Sequence, residues 1–320
     1  CHPGRATSNY LLTSRTGVEL IDLAEGTLDR NCWVRGACQY GVMPANGLLY
    51  APPHSCACYI QSKLSGFCAL APKRAVSDAS TQQQRHPTTE ESRLETGPAY
   101  ASLEDSQRSK IESSAQRGSE WPVFRHDPGR SGRSSGRVPP DLGRIWKAKV
   151  GGQLTSPVVA AGKVLVAAKD THSIHALDVA SGNQVWQRIV GGSVDSPPTI
   201  ESGLAVFGCG DGWVYCLRVT DGELVWRFRA APEDLRTVVY GRVESLWPVT
   251  GSVLVRDGIV YCTAGRSSFL DGGMYLYRLD LRTGRLIGET RFDARDPVTG
   301  KQREETVHDV ELPGALPDVL

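Results

Sequence analysis

One offset organises the second half of this sequence. Trp146, Trp186 and Trp226 stand 40 residues apart, and the pairs Gly151-Gly152 and Gly191-Gly192, Ser156-Pro157 and Ser196-Pro197, Leu177 and Leu217, and Gly182 and Gly222 keep the same spacing. Residues 149–186 overlay on 189–226 without a gap. A period of this length marks a module that cannot bury its own faces, so its copies must stack against one another.

Within a module the signals are those of short strands. Val158–Ala160, Lys163–Ala168, Ile174–Asp178 and Gln184–Gln187 are β-prone runs separated by Ala-Gly, Lys-Asp-Thr-His and Ser-Gly turns. In the second copy Asp211-Gly212 lies between Ala205–Cys209 and Trp213–Leu217. A two-residue turn there would set residue 209 opposite 214 and disfavour a bridge between Cys209 and Cys216. Four short antiparallel strands in about 40 residues make one blade of a β-propeller. The expected fold is therefore all-β, an incomplete propeller of about four to five blades with a polar, poorly structured insertion.

A third copy carries extra residues. Its strands fall within Ser252–Cys262, around Arg256-Asp257-Gly258, and at Met274–Leu279 and Arg285–Glu289, around Arg282-Thr283-Gly284. Gly284 follows Gly222 by 62 residues, so the additional length sits in Ala230–Pro248 and Arg266–Gly273. The N-terminal region has the same grammar in Tyr10–Thr13, Val18–Asp22 and the Ala24-Glu25-Gly26 turn, with Leu48–Ala51 and Phe67–Leu70 as remnants of a further blade.

Composition divides the chain into three. Residues 1–70 hold six of the nine cysteines and read as partial blades; residues 71–120 offer only Val76, Leu94, Tyr100, Leu103 and Ile111 as sizeable apolar groups; residues 121–320 carry the repeats. The middle segment has too little apolar surface to offset chain entropy, which makes it a linker or exposed insertion. A net charge of +1 argues against nucleic acid as a partner, and no apolar run approaches the ~18 residues of a membrane span. The chain begins at Cys1 without a leader, as after removal of a signal segment or in a fragment of a longer protein.

Ala176-Leu177-Asp178, Ser181-Gly182 and Trp186 together resemble the tryptophan-docking repeat of PQQ-like β-propellers. Trp121-Pro122-Val123-Phe124-Arg125-His126-Asp127 with Arg130-Ser131-Gly132 is similar to the segment that opens many such propellers. The resemblance implies that Trp146, Trp186 and Trp226, with Gly182, Gly222 and Gly284, join blade to blade. Asp178 becomes Arg218 in the second copy, and Trp226 has no aromatic counterpart in the third. The family includes quinoprotein dehydrogenases, which hold PQQ with calcium, and a non-catalytic lipoprotein of outer-membrane assembly. It therefore implies a bacterial, periplasmic or extracellular setting and leaves two roles open.

No adjacent cysteine pair and no Cys-x-x-Cys-His haem site is present, which weighs against a quinoprotein enzyme. The expected role is a scaffold for a protein, polysaccharide or small ligand, with no cofactor assigned; a PQQ- and calcium-dependent dehydrogenase fragment is the alternative, and a metal- or thiol-binding module of the N-terminal Cys/His cluster the second. His54, Cys56 and Cys58 would share one face of an extended strand, and with Cys32, Cys38 or Cys68 would offer zinc or copper a ligand set. Disulfides or buried thiols explain the same cysteines. Gly132-Arg133-Ser134-Ser135-Gly136 has the spacing of a nucleophile elbow but lies in a loop rather than between strand and helix. Seven Lys/Arg in residues 121–150 read as a solvated strap. The best binding loops are the two insertions, with Arg236, Arg242, Trp247, Arg266 and Asp271 as candidate contacts beside Glu244, Ser267, Ser268 and Phe269.

Overall fold

Alternation of apolar and polar residues in runs of three to seven, punctuated by glycine turns, leaves the backbone little choice but short antiparallel strands. The computed structural model describes residues 4–13, 17–31, 34, 36, 40–53, 67–72, 93–101, 120–138, 140–239, 241–268 and 271–293. Every named element among them is a strand.

The chain divides into two units, one of residues 1–87, 237–243 and 293–316, the other of residues 88–236, 244–292 and 317–320. The first holds an antiparallel sheet of β1 (Arg5–Ala6), β2 (Tyr10–Thr13), β3 (Val18–Asp22) and β4 (Leu28–Asn31), in that order. A second sheet contains β5 (Met43–Ala45), β6 (Leu48–Ala51) and β7 (Cys68–Leu70). Leu12, Val18, Val34, Val42 and Ala51 form the small core of this unit.

The second unit begins with β8 (Leu94–Thr96) and then runs through the repeats. Blade 1 comprises β9 (Val158–Ala160), β10 (Lys163–Ala168), β11 (Ser173–Asp178) and β12 (Gln184–Ile189). Blade 2 comprises β13 (Thr199–Glu201), β14 (Leu204–Gly208), β15 (Trp213–Arg218) and β16 (Leu224–Arg229), with β8 added outside β16. After a two-stranded ribbon of β17 (Arg236–Val239) and β18 (Arg242–Ser245) comes blade 3, with β19 (Leu254–Arg256), β20 (Ile259–Ala264), β21 (Met274–Asp280) and β22 (Leu286–Phe292). The sequence placed residues 94–96 in the polar insertion. They form a strand because β16 supplies a ready hydrogen-bonding edge.

The blades stack as the period requires. On β14 and β15, Val206, Val214 and Cys216 face blade 3, while Ala205, Phe207, Tyr215 and Leu217 face blade 1. Blade 2 is thus buried on both faces by strict strand alternation. The first strands β9, β13 and β19 pack beside one another. Thr199 Oγ1 donates to Val253 O at 2.5 Å and Ser196 Oγ to Thr250 O at 2.7 Å. First strands inward, last strands outward, is the radial plan of a propeller.

The tryptophans make the joints. Trp146 Nε1 donates to Val179 O at 2.9 Å, Trp186 to Val219 O at 2.8 Å and Trp226 to Leu281 O at 2.9 Å. Each acceptor belongs to the last turn of the following blade. The indole lies flat over that turn's glycine: a Cβ on Gly182, Gly222 or Gly284 would come within 2.5–2.6 Å of the ring, and all three have φ near +70°. Both constraints demand glycine. In blades 1 and 3 the turn is pinned by Asp178 and Asp280, whose Oδ1 accepts from the backbone and hydroxyl of Ser181 and Thr283. Blade 2 keeps the same backbone turn, Gly222 N–H donating to Arg218 O at 2.8 Å, with Arg218 paired to Asp221 instead. Asp22 and Gly26 repeat the turn in the N-terminal sheet, but no described residue lies within 4 Å of a Cβ on Gly26. The third copy has Gly288 opposite Arg278, where the first two have Trp186 opposite Ala176 and Trp226 opposite Cys216. The Arg278 guanidinium fills the space beside Gly288.

One register differs from expectation. Gly208 opposes Val214, and Cys209 N–H donates to Trp213 O at 3.0 Å. The turn therefore holds three residues, with Gly212 at φ +89° absorbing the extra one. Cys209 and Cys216 are separate buried thiols.

Candidate functional site

In a blade, the connection from second to third strand and the one from fourth strand to the next blade emerge at the same end. Both insertions are of these two kinds: residues 230–253 link β16 to β19, and residues 265–273 link β20 to β21. The topology alone brings them together.

Contacts between them are specific. Arg266 donates through Nη2 to Glu244 Oε2 at 2.8 Å and to Ser245 O at 3.1 Å, with only 17% of the Arg266 side chain and 11% of the Glu244 side chain exposed. Trp247 Nε1 donates to Asp271 O at 3.0 Å. The root of the first insertion is pinned in turn. Ala230 and Ala231 N–H both donate to Gly212 O at 2.9 Å, and Ser245 N–H donates to Gly210 O at 2.8 Å. Among the described residues Arg266 Nε is buried without a hydrogen-bond partner. Burial pushes the Asp271 carboxyl up, and the positive charge of Arg266 opposes the shift.

The candidate residues thus separate into groups. Glu244, Trp247, Arg266, Asp271 and the buried Ser267 and Ser268 share one end of blades 2 and 3. Arg236, at the start of β17, pairs with Asp234 at 3.3 Å instead. Arg242 stands on β18 within residues 237–243, the stretch that belongs to the N-terminal unit. Phe269 lies outside the described residues, as do His54, Cys56, Cys58, Cys32 and Cys38; Cys68 is on β7, opposite Ala51. What the sequence did not signal is the Asp211 carboxylate, which accepts from Tyr215 Oη at 2.6 Å and Trp213 N at 3.0 Å beneath the Gly191-Gly192 loop. Burial and this carboxylate both push the Tyr215 phenol up, so it stays a hydrogen-bond donor.

Burial raises the thiols of Cys209, Cys216 and Cys262, the last to about 12, and a thiol held protonated is inert. The Gly132–Gly136 stretch is an exposed loop with no strand before it or helix after it. Nor do the described residues fit a quinone. A quinone site needs a free indole face and clustered oxygen ligands. The indoles of 146, 186 and 226 are engaged in blade joints, Trp213 is covered by Arg227 at 4.4 Å, Trp121 meets His126 edge-on at 5.0 Å, and Trp247 is buried with its Nε1 donating to Asp271 O. Among the described residues no three His, Cys, Asp or Glu side chains converge.

Blades of this grammar, each locked by an indole on its neighbour's glycine turn, define a β-propeller of PQQ-like repeats. A family model for the outer membrane protein assembly factor BamB matches residues 137–311. That is more than half of the sequence, and the chain belongs to this family. BamB from Moraxella catarrhalis is 21% identical with a TM-score of 0.32, over 43% of this chain and 40% of that one. Quinohemoprotein alcohol dehydrogenase from Comamonas testosteroni is 22% identical with a TM-score of 0.46, over 64% of this chain and 32% of that one. For a europium-containing methanol dehydrogenase the values are 16% and 0.43, over 58% and 34%. The match spans less than half the length of each of these proteins. No curated protein matches the sequence. No helix among the described residues is long and apolar enough to cross a membrane.

Proposed function

We propose that this chain is a non-catalytic binding module that works outside the cytoplasm and presents one end of its propeller to a protein. The observation that carries the reading is the convergence of the two insertions. Their lengths depart from an otherwise regular repeat, and Arg266–Glu244 and Trp247–Asp271 hold them as one surface. Rigid loops on a regular scaffold are where recognition concentrates. An assembly-factor family, as its description has it, favours a protein over a carbohydrate as the partner.

A photo-crosslinking residue at position 271, compared with one at 161 on the opposite end of blade 1, tests this in cells that make the protein. Protein adducts are expected from 271 and not from 161. Adducts from both positions alike, or glycan adducts alone, would sink the reading. Dye-linked oxidation of alcohols or sugars by the purified chain with PQQ and calcium would favour the dehydrogenase alternative instead.

A further inference from the structure

Blade 2 is complete in β13–β16, yet it carries a fifth strand delivered from far upstream: Glu95 meets Arg227 across a separation of 132 residues. The sequence around this strand is polar on both sides, and among the described residues β8 is the last strand of the sheet. Its attachment has the form of ligand recognition. Main-chain pairing runs antiparallel through Leu94–Phe228, Glu95–Arg227 and Thr96–Trp226, then continues with Gly97 N–H to Val225 O at 2.8 Å and Ala99 N–H to Leu224 O at 3.0 Å.

Side chains are read at separate positions. Arg93 is buried; its Nε donates to Arg229 O at 2.9 Å, Nη2 to Ala230 O at 3.4 Å and Nη1 to Glu289 Oε2 at 3.0 Å. Its guanidinium lies 4.7 Å from the Phe228 ring centroid and 5.0 Å from that of Tyr277, two rings that meet edge-to-face. A planar cation held by two carbonyls, a carboxylate and two aromatic faces is a specific arginine socket. Leu94 reaches the Gly284 turn beside Trp226. Gly97 lies so close to Leu224 that a side chain there would strike backbone, and Ala99 is fully enclosed.

We infer that the outer edge of β16, with the adjoining faces of β21 and β22, is a peptide-recognition groove for an extended segment of the pattern Arg-Leu-x-x-Gly-x-Ala. In this chain the ligand is its own residues 93–99, docked in cis as a reversible clip. Main-chain ladder for affinity and spaced pockets for selectivity is how an exposed sheet edge recognises peptides. The clip also grips the carbonyls of Arg229 and Ala230, where the first insertion begins.

A labelled synthetic peptide of residues 91–102 tests the groove on the whole chain. A chain carrying Arg93→Ala and Gly97→Val should release its own segment and bind the peptide about tenfold more tightly than the unaltered chain, whose tethered segment competes. A peptide carrying the same two changes should bind neither chain. Failure of the folded variant to bind the unaltered peptide would overturn the inference. Hydrogen exchange of the unaltered chain is the second measurement, and it needs no variant to fold. The Gly97 and Ala99 amides should exchange at least about tenfold faster than those of β15, through local opening. Exchange only at the rate of β15 would make the segment an inseparable part of the blade and refute a reversible clip.

Discussion

Three chemically identical joints at different depths give a graded test of what holds the blades together. Trp226 is fully enclosed, Trp186 nearly so and Trp146 half-buried, while all three donate the same hydrogen bond. Burying an indole removes roughly 200 Å² from water, about 5 kcal/mol at 25 cal/mol/Å². Measured truncations of buried aromatics cluster near 3–5 kcal/mol. Trp226→Ala and Trp186→Ala should therefore each cost about 4 kcal/mol, and Trp146→Ala about 2 kcal/mol. Trp226→Phe keeps most of the ring but strands Leu281 O, which costs about 1 kcal/mol. Urea unfolding followed by far-ultraviolet circular dichroism reads these directly. With a slope near 2 kcal/mol/M the midpoints should fall by about 2, 2, 1 and 0.5 M. Equal shifts at 146 and 226, or a shift below about 0.5 M for Trp226→Ala, would refute the indole as the interblade contact.

Two further outcomes concern charge. Ser131, through its hydroxyl and its backbone N–H, then His126, holds the half-buried Asp127 carboxyl down to about 2. A depressed carboxyl contributes above its unfolded value of 3.8 and ceases to as pH falls through about 2, so its carbon-13 titration should have its midpoint near 2 and move toward the ordinary range in Ser131→Ala; an ordinary midpoint in the unaltered chain goes against the turn geometry. Arg266→Ala and Glu244→Ala each leave the other charge unpaired in a largely enclosed place, so each should cost about 2–4 kcal/mol and the pair together clearly less than the sum. Additive losses in that double-mutant cycle would mean the two insertions are not joined through this contact.

The repeat was legible because stacking demands the same residues at the same places in each blade: tryptophan on the outer strand, glycine under it. Even the departures had visible consequences, since Arg218 kept its turn through Asp221 and Gly288 met Arg278 in place of an indole. The 209–214 pairing was off by one residue because a dipeptide cannot reveal whether Asp211-Gly212 closes the turn alone or with Gly210. Leu94–Thr96 could not be found at all. Three residues show no period, and their strand character comes wholly from β16, over a hundred residues away. At the candidate site the sequence showed which loops were long. It carried no mark that Arg266 would reach Glu244, nor that Arg242 would fall in a different unit, since both depend on the path of the chain through the insertion.

The joints also have a polarity. Blades 1 and 2 each offer an indole forward and receive one from behind, so they behave like links with unlike ends. A duplicate of blade 1 or blade 2 spliced in frame between them would find a donor on one side and an acceptor on the other. A duplicate of blade 3 would not, because it presents Gly288 and the Arg278 guanidinium where a forward indole is needed. Growth of such a ring by internal duplication is therefore permitted at some junctions and blocked at others, and a single glycine codon marks the difference.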